Sequence, residues 1–166
     1  MPNIHHAVVI VADAEKVYRA ITSEEGLSAW WTPYTKATPE PGSISRFNFG
    51  QDYFKEMKIT EMTPNEHVQW ACLKGADEWI GTTISFILNE GDKKDLLYLH
   101  PEATDQILQN VKDGNATLLT MHHGNWRQYS PMFAECNYTW GQFLRSLKLY
   151  CETGNGQPWP GQHSIR

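Results

Sequence analysis

Short stretches of alternating apolar and polar residues fill most of the chain, and one long stretch at helical spacing comes near its end. Residues 4–11 are apolar and β-branched and predict a strand. Asp13 then stands as a helix N-cap ahead of 14–21, where Val17, Ala20 and Ile21 recur at helical spacing. Thr22-Ser23-Glu24-Glu25 has the form of a capping box, with Thr22 as the cap and Glu25 reaching back. It predicts a second short helix ending near Trp30-Trp31. Residues 32–42 hold three prolines and predict a loop.

Strand patterns follow at 44–49, 54–62, 67–73, 78–88 and 117–123. Val68, Trp70 and Cys72 share one face; so do Ile80, Ile84, Phe86 and Leu88, with Thr82 among them; so do Leu119, Met121 and His123. Such half-apolar alternation fits an antiparallel sheet with one covered face. The last helix is the strongest. Ser130 caps it, Pro131 takes the first helical position, and Phe133, Cys136, Trp140, Phe143, Leu144, Leu147 and Cys151 recur at three and four. Gly154 closes it after about 23 residues, or about 34 Å. Between the last two strands, an insertion at about 92–115 carries a helical stretch opening at Pro101, with Ile107, Leu108 and Val111 on one face. A lid over a pocket, a face for a second subunit in a homodimer, and an excursion packed on its own sheet all suit it. The order of elements predicts one α+β domain over 1–166, with the long helix burying its stripe on the sheet.

Composition narrows the function classes. With 40% hydrophobic and 20% charged residues, the chain is neither disordered nor a coiled coil. A net charge of −5 leaves no basic excess for a nucleic-acid backbone or an anionic membrane surface. The longest apolar run, 7–12, is far too short for membrane insertion. No basic segment followed by an apolar run opens the chain, so a cytoplasmic location is expected. Cys72, Cys136 and Cys151 are then expected as thiols. Cys136 and Cys151 share a helix and stand about 22 Å apart, too far for a disulfide.

The ordered motifs resemble a known superfamily. They include Ala12-Asp13-Ala14-Glu15-Lys16-Val17-Tyr18, Glu25-Gly26-Leu27-Ser28-Ala29-Trp30-Trp31-Thr32, Phe47-Asn48-Phe49-Gly50 and Val68-Gln69-Trp70. Further on come Trp79-Ile80-Gly81-Thr82, His123-Gly124-Asn125-Trp126, Trp140-Gly141-Gln142-Phe143-Leu144 and Glu152-Thr153-Gly154. Over about residues 3–90 and 117–160 the chain resembles the SRPBCC (START / pollen-allergen-like) helix-grip superfamily. Within it, the chain is most similar to the branch related to the C-terminal domain of the activator of heat-shock protein 90 ATPase. The insertion has no counterpart in the usual pattern. The resemblance implies a curved antiparallel sheet gripping the C-terminal helix, with a cavity for an apolar or amphipathic small molecule between them. Some members are cyclases or hydrolases, and a co-chaperone-like interaction module is a third expectation. This chain starts at the first strand, without the separate N-terminal domain of the eukaryotic co-chaperone, so heat-shock protein 90 is not expected as a partner.

Phe47, Met57, Trp70, Ile84, Phe86, Met121 and His123 are the inward candidates for the cavity wall on the sheet. Phe133, Cys136, Trp140 and Phe143 are those on the helix, and Trp31 is a cap for the mouth. Periodicity leaves open whether these residues line a cavity or fill a solid core. His123 is the one inward titratable group, a weak candidate for acid–base work or for a structural histidine. No nucleophile elbow, Cys–His pair, phosphate loop or dinucleotide fingerprint is present, so no catalytic residue and no cofactor is assigned. His5-His6 and His122-His123 are strand neighbours that point to opposite faces, so no metal site is expected.

Overall fold

The computed structural model describes residues 1–165. Among these residues, seven strands form one antiparallel sheet in the order β1-β7-β6-β5-β4-β3-β2. They are β1 (Ile4–Ile10), β2 (Tyr34–Lys36), β3 (Ile44–Asn48), β4 (Phe54–Thr63), β5 (His67–Lys74), β6 (Thr83–Asp92) and β7 (Asn115–Gly124). Helices α1 (Ala14–Thr22) and α2 (Glu24–Trp30) follow β1. Helices α3 (Lys93–Leu99) and α4 (Thr104–Asn110) connect β6 to β7, and α5 (Pro131–Thr153) lies last. The sheet curls around α5, which is the helix-grip arrangement.

The helix ends follow local chemistry. The Asp13 carboxylate accepts from Lys16 N at 2.7 Å, and Ser130 Oγ accepts from Phe133 N at 3.1 Å. Gly154 ends α5 at φ +88°, where a left-handed residue is needed. Between α1 and α2, the cap is Ser23, not Thr22. Ser23 Oγ accepts from Gly26 N, while Thr22 finishes α1 by donating to Tyr18 O. Gly26 has to be glycine, because a Cβ there would stand 2.5 Å from Ala20 O.

Two further expectations are corrected. The proline-rich segment 32–42 contains β2, a three-residue edge strand paired with β3. The strand expected over 78–88 begins only at Thr83. Residues 79–82 turn instead, with Gly81 at φ +88° and Thr82 Oγ1 donating to Trp79 O at 2.6 Å. Ile80 is therefore exposed, while Ile84, Phe86 and Leu88 are buried as the alternation predicts.

The sheet is covered on both faces at one end. Its inner face and α5 enclose the main core with Trp30, Phe86, Trp140 and Leu147. On the outer face, Leu96, Ala103, Ile107 and Val111 from the insertion pack on Val9, Ala116 and Leu118. One side of the insertion thus packs on its own sheet, on the opposite side from α5. It also shields the edge strand β1. Gln106 accepts from Val9 N and donates to Ala7 O, and from α5 Lys148 Nζ donates to Val9 O. Among the described residues no helix is long and apolar enough to cross a membrane.

Candidate functional site

A cavity of about 230 Å³ lies between the first half of α5, the β3–β4 hairpin and the segment that follows α5. Trp31, Trp79, Trp140, Phe143 and Trp159 give it an aromatic wall. Tyr53, Glu135 and His163 are exposed and mark its mouth.

Each wall has a local cause. Asn48 Oδ1 accepts from Gly50 N, and Gly50 at φ +89° turns the chain between β3 and β4. That turn sets Phe49, Tyr53 and Lys55 toward the cavity. The third wall depends on close backbone approach. A Cβ on Gly156 would lie 2.4 Å from Ala29 O, and one on Gly50 would lie 2.7 Å from the Trp159 ring. Ser146 Oγ donates to Trp30 O and accepts from Gln157 N, both at 2.8 Å, and Trp159 N donates to Trp31 O. The segment is therefore stitched to α2 and α5, and places Trp159 and Gln162 on the cavity.

Lys55 is the main polar feature. It occupies an inward position of β4, in step with Met57 and Ile59, and is only 4% exposed. Its ammonium stands 4.2 Å from the Trp79 ring centroid, 4.3 Å from Tyr53 and 4.4 Å from Phe49. It donates to Tyr53 Oη at 3.3 Å, and none of the ion pairs among the described residues includes it. Burial pushes its pKa down to about 8. It stays mostly charged at neutral pH. Gln162 also lines the cavity, and its buried Oε1 has no hydrogen-bond partner among the described residues.

Of the twelve residues selected from the sequence, Trp31, Cys136, Trp140 and Phe143 line this cavity. Phe47, Met57, Trp70, Ile84, Phe86 and Met121 are packed in the core behind it. Phe133 is partly buried against Trp126 and Tyr129. His123 is fully buried, with both ring nitrogens engaged. Trp140 Nε1 donates to Nδ1 at 3.1 Å. With Nδ1 the acceptor, Nε2 carries the proton and donates to Thr82 Oγ1 at 2.9 Å. Burial first, then Lys55 and His122, push its pKa down to about 3. His123 is a neutral link between α5 and the 79–82 turn, and neither nitrogen is free to take a proton from a ligand.

Phe49, Tyr53, Lys55, Trp79, Trp159, Gln162 and His163 were not selected from the sequence. One signal pointed to Lys55: its place two residues before Met57 on the inward face of a strand. Nothing periodic marks 155–165. Among the described residues, no group of three or more His, Cys, Asp or Glu side chains gathers to hold a metal.

Comparison with known proteins agrees with this architecture. The family described as "Activator of Hsp90 ATPase homolog 1-like protein" matches residues 11–152. The solution structure of an Aha1 dimer from Colwellia psychrerythraea is 32% identical in sequence. The match covers 94% of this chain and 100% of that one, with a TM-score of 0.73. A crystal structure from Mesorhizobium loti (14% identity, 89% and 94% coverage, TM-score 0.66) and a solution structure from Bacillus halodurans (18% identity, 92% and 98% coverage, TM-score 0.64) share the fold. No curated protein matches the sequence. The family match stops at 152, before the segment that supplies Trp159 and Gln162. By its sheet, its gripped helix and the match over 11–152, the chain belongs to the Activator of Hsp90 ATPase homolog 1-like family of SRPBCC helix-grip proteins.

Proposed function

We propose that this protein binds a small amphipathic molecule in the cavity between sheet and C-terminal helix. One observation carries the reading: an aromatic cavity whose buried Lys55 ammonium keeps N–H groups without an acceptor. Buried polar groups are ordinarily satisfied, and a ligand's polar end satisfies these. The volume is below the roughly 300–1,000 Å³ of drug-sized sites. That favours a ligand of one or two rings over a long-chain lipid. The free thiols Cys72, Cys136 and Cys151 suit a reducing, cytoplasmic setting. The engaged nitrogens of His123 favour a binder over a hydrolase or cyclase built on that residue.

Four tryptophans line the cavity, so ligand entry is read by intrinsic fluorescence. A neutral two-ring probe, 2-naphthylacetamide, is expected to quench the protein saturably at one site per chain. Thr139→Phe, which places a ring on the cavity lining, is expected to weaken that binding at least tenfold. Equal affinity in the two proteins would place the probe elsewhere and defeat the reading.

A second reading concerns assembly. The Colwellia relative is described as a dimer. In this chain the insertion leaves Tyr98, Leu99 and Leu108 exposed, with its other side spent on the sheet. We infer a homodimer through this face. Light scattering is expected to give twice the chain mass, and the double change Tyr98→Glu, Leu99→Glu to give a folded monomer. A monomeric parent protein would reject it.

A further inference from the structure

A cation buried without a counter-ion is costly, and a fold keeps one where something else pairs with it. Lys55 is such a cation. Its three N–H donors find one protein acceptor among the described residues, Tyr53 Oη. The three ring faces around it carry partial negative charge at their centres and no net charge.

The neighbouring titratable groups do not neutralise it. Burial raises the thiol pKa of Cys72 to about 11 and raises that of Cys136, so both are uncharged at neutral pH. Burial likewise raises the Tyr53 phenol. His123 is neutral. Glu135, the carboxylate on the cavity lining, is exposed at the mouth, where solvent screens it, and it makes no ion pair with Lys55. The ammonium is thus a single fixed charge inside an aromatic box that opens to solvent on one side.

Resting on the cavity reading above, we infer that the site selects ligands with one anionic head group, a carboxylate on a flat aromatic body, with the Lys55 ammonium as the counter-ion. The carboxylate accepts from the two N–H groups that Tyr53 leaves unused. The body lies against Trp31, Trp140 and Trp159. A neutral analogue of the same shape keeps the ring contacts and loses the charge pairing.

Two probes separate these parts: 2-naphthylacetate and its neutral amide, 2-naphthylacetamide, titrated by tryptophan fluorescence or calorimetry. The parent protein is expected to bind the carboxylate at least tenfold more tightly than the amide. Lys55→Met is expected to bind both with about the affinity that the parent protein has for the amide. Lys55→Arg, which keeps the charge, is expected to retain a preference for the carboxylate. Equal binding of the two probes by the parent protein would overturn the inference while leaving the cavity reading intact. So would a preference that survives in Lys55→Met. Binding of neither probe at millimolar concentration would overturn the cavity reading and the inference with it. If Lys55→Met does not fold, the comparison in the parent protein and in Lys55→Gln still decides.

Discussion

Trp140→Ala is expected to cost about 3–5 kcal/mol of folding stability. The indole is 2% exposed and sits where three parts of the fold meet. Its ring lies 5.3 Å from Trp31 and 6.4 Å from Phe86, and its N–H is the donor to His123 Nδ1. Truncation to alanine leaves a void in a close-packed region and strips a buried acceptor of its partner. Trp140→Phe separates the two effects. It keeps most of the ring contact and loses the hydrogen bond, at an expected cost of about 1–3 kcal/mol. Chemical denaturation of the three proteins measures both. A loss under about 1 kcal/mol for the alanine variant would contradict this packing.

Acid is expected to destabilise the protein well above the range where most carboxylates titrate. His123 has a folded pKa of about 3 and an unfolded pKa of about 6.5. Between these values the unfolded chain holds a proton that the folded chain excludes, so ν_U exceeds ν_N and stability falls as pH falls. The slope from this one residue approaches 1.4 kcal/mol per pH unit, or about 2 kcal/mol between pH 6.5 and 4.5. Burial and His5 lower the His122 pKa as well, which adds in the same direction. Denaturant midpoints at pH 7, 6, 5 and 4.5 measure the total, and His123→Gln isolates the main part. The variant is expected to show a clearly flatter profile; the same slope in both proteins would place the acid sensitivity elsewhere.

The parts of this molecule that local rules govern were legible in the sequence. Helix α5 runs from its serine cap to its glycine stop as the 3.6-residue period indicates, because propensity, capping and burial agree there. The inward faces of β5, β6 and β7 follow their alternation for the same reason. The misreadings arose where two rules competed. Alternation runs through 78–82 in the sequence, yet Gly81 and the Thr82 hydroxyl make that stretch a turn. Prolines concealed β2, since three residues at a sheet edge tolerate them nearby.

The cavity divided along similar lines. Cys136, Trp140 and Phe143 follow from helix periodicity, and Trp31 from its place after a short helix. Lys55 was visible in register but not in chemistry, because a lysine on a strand reads as a surface residue. Trp159 and Gln162 were beyond reach. Their positions depend on how closely Gly156 lets the chain approach Ala29 and Gly50 lets the Trp159 ring approach, a property of the closed fold and not of any local pattern. His123 lies between these cases: its inward face could be read, but its partners Thr82 and Trp140 come to it only through tertiary packing.

The sheet order has a consequence for how this chain is made. Strand β1 is synthesised before the other strands, yet its only strand partner among the described residues is β7, with Ile4 opposite His123. On the ribosome the N-terminal strand therefore has to wait, unpaired, while most of the chain emerges. Gln106, Asn137 and Lys148, which also hydrogen-bond to it, arrive late as well. Closure is a long-range event with a large loop entropy, and local helices cannot bring it forward. A ribosome that stalls before β7 holds a nascent chain with an exposed apolar edge, and during that interval the chain is most vulnerable to aggregation and most in need of escort.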